Sequence, residues 1–137
     1  MRARIDQVIA DALGDEPCVV GAHSLGSVVA YNVLRDRSAT PQYPGLVTLG
    51  SPLGIRAIKQ QLPTPLVSPP CIRQWFNAYD DRDVVALVPL DAQRFNVLPP
   101  IENKGDVLNF TDNRHGIEGY LVDPVVAQRV VRGLQSL

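Results

Sequence analysis

A serine stands where the pattern of the chain changes abruptly. Residues 18–22, CVVGA, are apolar and small, residues 25–35, LGSVVAYNVLR, have helical spacing, and only His23 and Ser24 lie between them. A short buried strand turning directly into a helix holds the corner side chain out on a strained turn, beside a helix dipole that favours negative charge. A serine hydroxyl there is a candidate nucleophile, but it needs a base to take its proton. The chain has two histidines. His23 adjoins Ser24, and because successive residues at a corner point in different directions, it reads as part of the corner's packing. His115, in the polar, glycine-containing segment NRHGIEGYL, reads as the general base and acid. An imidazole in that role needs a carboxylate to hold its tautomer, and YDDRDVVALV offers Asp80, Asp81 and Asp83. The plainer reading of that run is a solvated acidic loop beside Arg82.

These groups require a scaffold of alternating strands and helices. Ile5, Val8, Ile9, Ala12 and Leu13 fall on one face of a helix over residues 2–13, with Gly14 and Pro17 as stop signals. After the strand at 18–22 and the helix at 25–35, strands are expected at 45–50, 72–79 and 107–110. Asp123 and Pro124 suit the cap and first turn of a last helix whose stripe is Val126, Val130, Leu134 and Leu137. Seven of the 12 prolines lie between residues 41 and 70, split by a short helix expected at IRAIKQQL, and this region reads as a stiff connection between strands that could form a pocket wall. Strands alternating with helices predict an α/β domain over residues 1–137 with a short, mostly parallel sheet of about four strands.

Composition narrows the function. With 137 residues, 45% apolar, 13 basic against 14 acidic side chains and no basic cluster, the chain has a core but no footprint for nucleic acid. No apolar stretch approaches the ~18 to 20 residues of a membrane span. Asp6 interrupts the opening MRARIDQVIA where a signal peptide would be apolar, so a cytoplasmic protein is expected. Cys18 and Cys71 lack metal-ligand spacing and read as packing residues. Trp75 and Phe76 read as strand core. The Lys-Ser/Thr ending of a phosphate loop is missing after Gly21 and Gly26.

Ala22-His23-Ser24-Leu25-Gly26 resembles the nucleophile elbow of the α/β-hydrolase superfamily, small-x-Ser-x-small, in its lipase and esterase version. In that motif the residues two before and two after the serine are small because strand and helix backbones approach closely there. The resemblance implies a truncated, minimal α/β-hydrolase fold with the order Ser, Asp, His. Asn77 to Val85 resembles the loop carrying the family's acid, which points to Asp83. Val84 stands where many relatives have proline, which leaves Asp80 as a rival. The resemblance also implies that the Leu25 amide binds the oxyanion. The family's second donor comes from a loop after an earlier strand without counterpart in this sequence, and one missing donor costs a factor of about 10² to 10³ in rate. Leu49-Gly50-Ser51-Pro52-Leu53-Gly54 is similar to a loop beside the active site of some bacterial lipase-like hydrolases, with Ser51 in a turn and Leu53 lining an acyl pocket.

The expected function is therefore hydrolysis of a short- or medium-chain acyl ester by Ser24, His115 and Asp83, with Leu25 at the oxyanion and no metal or cofactor. The alternative is a non-catalytic hydrolase-fold module, or a fragment of a longer hydrolase. As a stand-alone hydrolase or module, the chain leaves the strand at 18–22 as a bare sheet edge, which predicts a homodimer or higher oligomer unless the first helix shields it. A longer parent would restore the missing strands and change that expectation.

Overall fold

Apolar side chains alternate along the strands with a period of two, and this divides the core between the two faces of one sheet. The computed structural model describes residues 2–40 and 42–137, so Met1 and Pro41 fall outside the described residues. The elements run α1 (Arg2–Leu13), β1 (Val19–His23), α2 (Leu25–Arg35), β2 (Gly45–Leu49), α3 (Arg56–Lys59), β3 (Trp75–Ala78), β4 (Glu102–Lys104), a 3-10 turn (Asp112–Arg114), α4 (Ile117–Leu121) and α5 (Pro124–Leu134). The sheet has the order β1-β2-β3-β4, with every neighbouring pair parallel. The chain is thus an α/β protein with a four-stranded parallel sheet flanked by helices, as expected.

On one face Val20, Ala22, Leu46 and Trp75 meet Ala30, Tyr31 and Leu34 of α2. Tyr31, Trp75 and Phe95 form an aromatic trio with centroids 5.3 to 5.8 Å apart. Val47, Leu49, Phe76 and Ala78 point to the other face, where Tyr120 of α4 and Val126 of α5 cover them. Trp75 and Phe76 are therefore core residues, one on each face.

The first face also carries polar side chains, all of them bonded. Trp75 Nε1 donates to Thr48 Oγ1, Thr48 to Asn77 Oδ1, and Asn77 Nδ2 to Asn103 Oδ1, at 3.1, 2.8 and 3.0 Å. Asn103 ties the ladder to the Leu90 backbone through both its oxygen and its nitrogen. Buried amides and hydroxyls are tolerated when each finds a partner, and here the partners run strand to strand from β2 to β4.

The structure corrects the fourth strand, which is formed by Glu102–Lys104 and not by residues 107–110. Val107 and Asn109 are buried while Leu108 and Phe110 are 77% and 69% exposed, which is strand-like alternation without a strand neighbour. The Asn109 amide donates to the Asp80 carboxylate instead. Glu102, Asn103 and Lys104 have weak strand propensity but pair in register with Phe76, Asn77 and Ala78.

Two apolar stripes are only partly covered. Asp123 caps α5 by accepting from the amides of Val125 and Val126. Val126 and Val130 pack on the sheet, but Leu134 and Leu137 face solvent. Helix α1 lies against α2, and its Leu13 reaches the core while Ile5 and Val8 stay 47% and 65% exposed. It does not close the edge of β1: a groove of about 450 Å³ runs between Ile5, Ile9 and Leu13 on one side and Val20, Ala22 and Val29 on the other. Among the described residues no helix is long and apolar enough to cross a membrane.

Candidate active site

Ser24 occupies the corner between β1 and α2 with φ 54° and ψ −134°, a conformation unfavourable for any residue with a side chain and costing about 1–3 kcal/mol. Surrounding bonds hold it. The Ser24 amide donates to Leu49 O at 3.0 Å, and Ser24 O accepts from the Ser27 amide at 3.0 Å and from Ser27 Oγ at 2.6 Å. Because the single Ser27 hydroxyl proton is used there, Ser51 Oγ, 2.7 Å away, donates to Ser27. Ser51 is thus a buried brace for the corner. Leu53 is a correction: it is fully buried in the core and does not line an open acyl pocket.

Gly26 also departs from expectation. A Cβ built there meets nothing within 4 Å, so close backbone approach does not require glycine at this position. Among the described residues no strand lies beyond β1, and Gly26 borders the open groove.

Ser24 sits at the amino-terminal boundary of α2, yet its side chain makes no capping bond. Its Oγ is instead 2.8 Å from His115 Nε2. His115 Nδ1 is 2.7 Å from Asp83 Oδ2. An ionised carboxylate can only accept, so Nδ1 carries the proton, Nε2 offers its lone pair, and the Ser24 hydroxyl donates to it. Leu25 is the first residue of α2, where helix geometry leaves the amide without an intrahelical acceptor. The structure therefore brings Ser24, His115 and Asp83 together, and Leu25 adjoins Ser24 in the chain.

The acidic run divides into distinct environments. Asp83 is fully buried, with Oδ1 accepting from the Val85 amide at 2.9 Å. Asp80 is equally buried but turns away from His115, accepting from the amides of Arg82 and Asn109, both at 2.9 Å. Burial alone would raise the Asp80 pKa, but those two amides and the guanidiniums of Arg82 and Arg114 outweigh it and hold the carboxyl below its ordinary range. Asp81 is exposed near Arg82. Tertiary position thus separates Asp83 from its rival.

Other residues shape the site without having been singled out for it. Tyr120 donates its hydroxyl to Asp83 Oδ2 at 2.5 Å. His23 Nε2 donates to His115 O at 2.6 Å, with the two rings 4.7 Å apart, so its packing role includes holding the histidine loop. Asn109 bonds Gly116 O through Nδ2 and accepts from the Thr111 amide and hydroxyl through Oδ1. Gly50, at φ 56°, closes one side of the cluster: a Cβ there would lie 3.0 Å from Asp83 Oδ2, 3.1 Å from Tyr120 Cε2 and 3.2 Å from His115 Cε1. The spacing of Ile117, Tyr120 and Leu121 is a faint helical signal that could have pointed to α4, but nothing in it points Tyr120 at a carboxylate.

Both cysteines are free thiols, and burial raises the pKa of each, which keeps them protonated. Cys71 Sγ donates to Leu34 O at 3.4 Å, consistent with packing.

A scan against protein-family models and searches of curated proteins and of solved structures found no match to this chain. The functional reading therefore rests on the residues and their geometry.

Proposed function

We propose that the protein is a small serine hydrolase of carboxylic esters, of the α/β-hydrolase type. The observation that carries this reading is the pair of contacts on His115: Ser24 Oγ on Nε2 at 2.8 Å and Asp83 Oδ2 on Nδ1 at 2.7 Å. Ser24 Oγ attacks the acyl carbon as His115 Nε2 takes the hydroxyl proton, and Asp83 stabilises the imidazolium that results. The Leu25 amide donates to the oxyanion. His115 then passes the proton to the departing alkoxide, leaving an acyl group on Ser24. A water molecule, deprotonated by the same imidazole, releases the carboxylic acid and restores the hydroxyl.

The groove beside β1 reaches Ala22, His23 and Gly26, on both sides of Ser24 in the chain, and its apolar walls suit a short or medium acyl chain. The test is hydrolysis of a p-nitrophenyl ester series by the protein and by Ser24→Ala. Turnover that peaks at one acyl length and vanishes in the variant is expected. Equal background rates from two folded proteins would overturn the reading.

The open edge of β1 favours a second reading, a non-catalytic module that binds through that edge. Such a module keeps its partner after Ser24→Ala. The same edge supports homo-oligomerisation under either reading.

A further inference from the structure

Tyr120 lies outside the serine–histidine–carboxylate chain but touches its buried end. Its hydroxyl donates to Asp83 Oδ2, the same oxygen that receives the His115 Nδ1 proton. It also accepts from the Asp80 amide at 3.3 Å, which fixes its orientation from the other side. The ring is fully buried and wedged by α4 beside Gly50, where a side chain would strike Tyr120, Asp83 and His115 together. We propose that Tyr120 is a positioning residue that fixes Asp83 Oδ2 under His115 and tempers its basicity, thereby setting the pH at which His115 takes up a proton.

Two donors share one carboxylate oxygen. Each withdraws charge from it, so the oxygen holds the imidazolium less strongly than an oxygen receiving His115 alone. The phenol remains a donor at all working pH values, because burial and then the bond to Asp83 push its pKa far above the ordinary tyrosine value. The other ionisable groups around the pair are identifiable. The His23 ring lies beside that of His115, tilted by 34°, and Arg114 precedes His115 in the chain with its guanidinium 3.9 Å from Asp80 Oδ2. Arg82 lies 3.6 Å from Asp80 Oδ1. Tyr120→Phe leaves all of these groups in the chain, and removes the donor to Asp83 together with the acceptor of the Asp80 amide.

The proposal rests on the hydrolase reading for its kinetic consequence, but its test does not need turnover. The ring C–H signals of the two histidines are followed by NMR against pH in the protein and in Tyr120→Phe, with His115→Gln identifying the His23 signal. Loss of the hydroxyl is expected to raise the His115 midpoint by about half a unit or more. Fluorotyrosine in place of all four tyrosines makes a stronger donor without removing a contact, and should move the same midpoint down. It also provides the test if Tyr120→Phe fails to fold. A His115 midpoint that stays fixed in either folded protein would overturn the proposal. Where ester turnover is measurable, the acid limb of kcat/KM moves with the NMR midpoint. Absence of turnover in the unaltered protein would sink the hydrolase reading and leave the titration result standing.

Discussion

At the scale of single residues, two buried aspartates three positions apart have opposite duties. Asp83 accepts from His115 and Tyr120, whereas Asp80 binds backbone amides of two loops. Asp83→Asn should present an amide to His115, favour the wrong tautomer and lower ester turnover by about 10⁴, with the fold retained. Asp80→Asn should instead lower the urea midpoint at pH 7, because an amide cannot accept as the carboxylate does. The pH dependence has a definite sign. Asp80 has a folded pKa held below its unfolded value, so its stabilisation is fully present above the unfolded value of about 3.9 and is lost as pH falls through the folded one. The urea midpoints of the protein and Asp80→Asn should therefore converge between neutral pH and pH 3. A constant gap would count against Asp80 as an anchor.

The elements explain why a loop can hold His115 accurately. The stretch from Val107 to Gly116 has little regular structure, yet Asn109 bonds it at three points and Asp80 pins its backbone. Helix α4 follows at once, and its Gly119 leaves no room for a side chain: a Cβ there would run into the Asn109 amide. Gly119→Ala should cost about 1–3 kcal/mol by overpacking and should speed amide exchange across residues 111–116, since Asn109 must swing away from Gly116 and Thr111. Unchanged exchange with an intact urea midpoint would show that the Asn109 clamp is dispensable. The sequence hid this device because alternation in VLNF imitates a strand. The difference lies in where the backbone donors go, to a carboxylate and not to a neighbouring strand.

At the scale of the molecule, the sheet ends on one of its most apolar strands. Among the described residues β1 pairs only with β2, and its own sequence, VVGAH, carries neither a lysine, an acidic residue nor a proline to protect the outer edge. Two copies pairing antiparallel about Gly21 would set Val20 opposite Ala22 and bring no like charges together. Dimers or larger species are expected in light scattering at micromolar concentration. A Cβ at Gly21 meets nothing within 4 Å, so Gly21→Lys should fold, place a charge on the edge and shift the population to monomer. A monomeric unaltered protein would rule this association out.

The sequence by itself determined the strand–Ser24–helix corner, most element positions, the parallel α/β class and the Asp123 cap, because these depend on local spacing and turn chemistry. It also singled out His115, since the chain offers only one other histidine and that one lies in the corner itself. Only the tertiary structure decided that Asp83 rather than Asp80 reaches His115, that Glu102–Lys104 is the fourth strand, and that Tyr120 meets Asp83. Those outcomes depend on groups tens of residues apart arriving at one place. A weak strand former can pair in register when a neighbour supplies its partners, and a tyrosine acquires a role only from the carboxylate that the fold sets beside it.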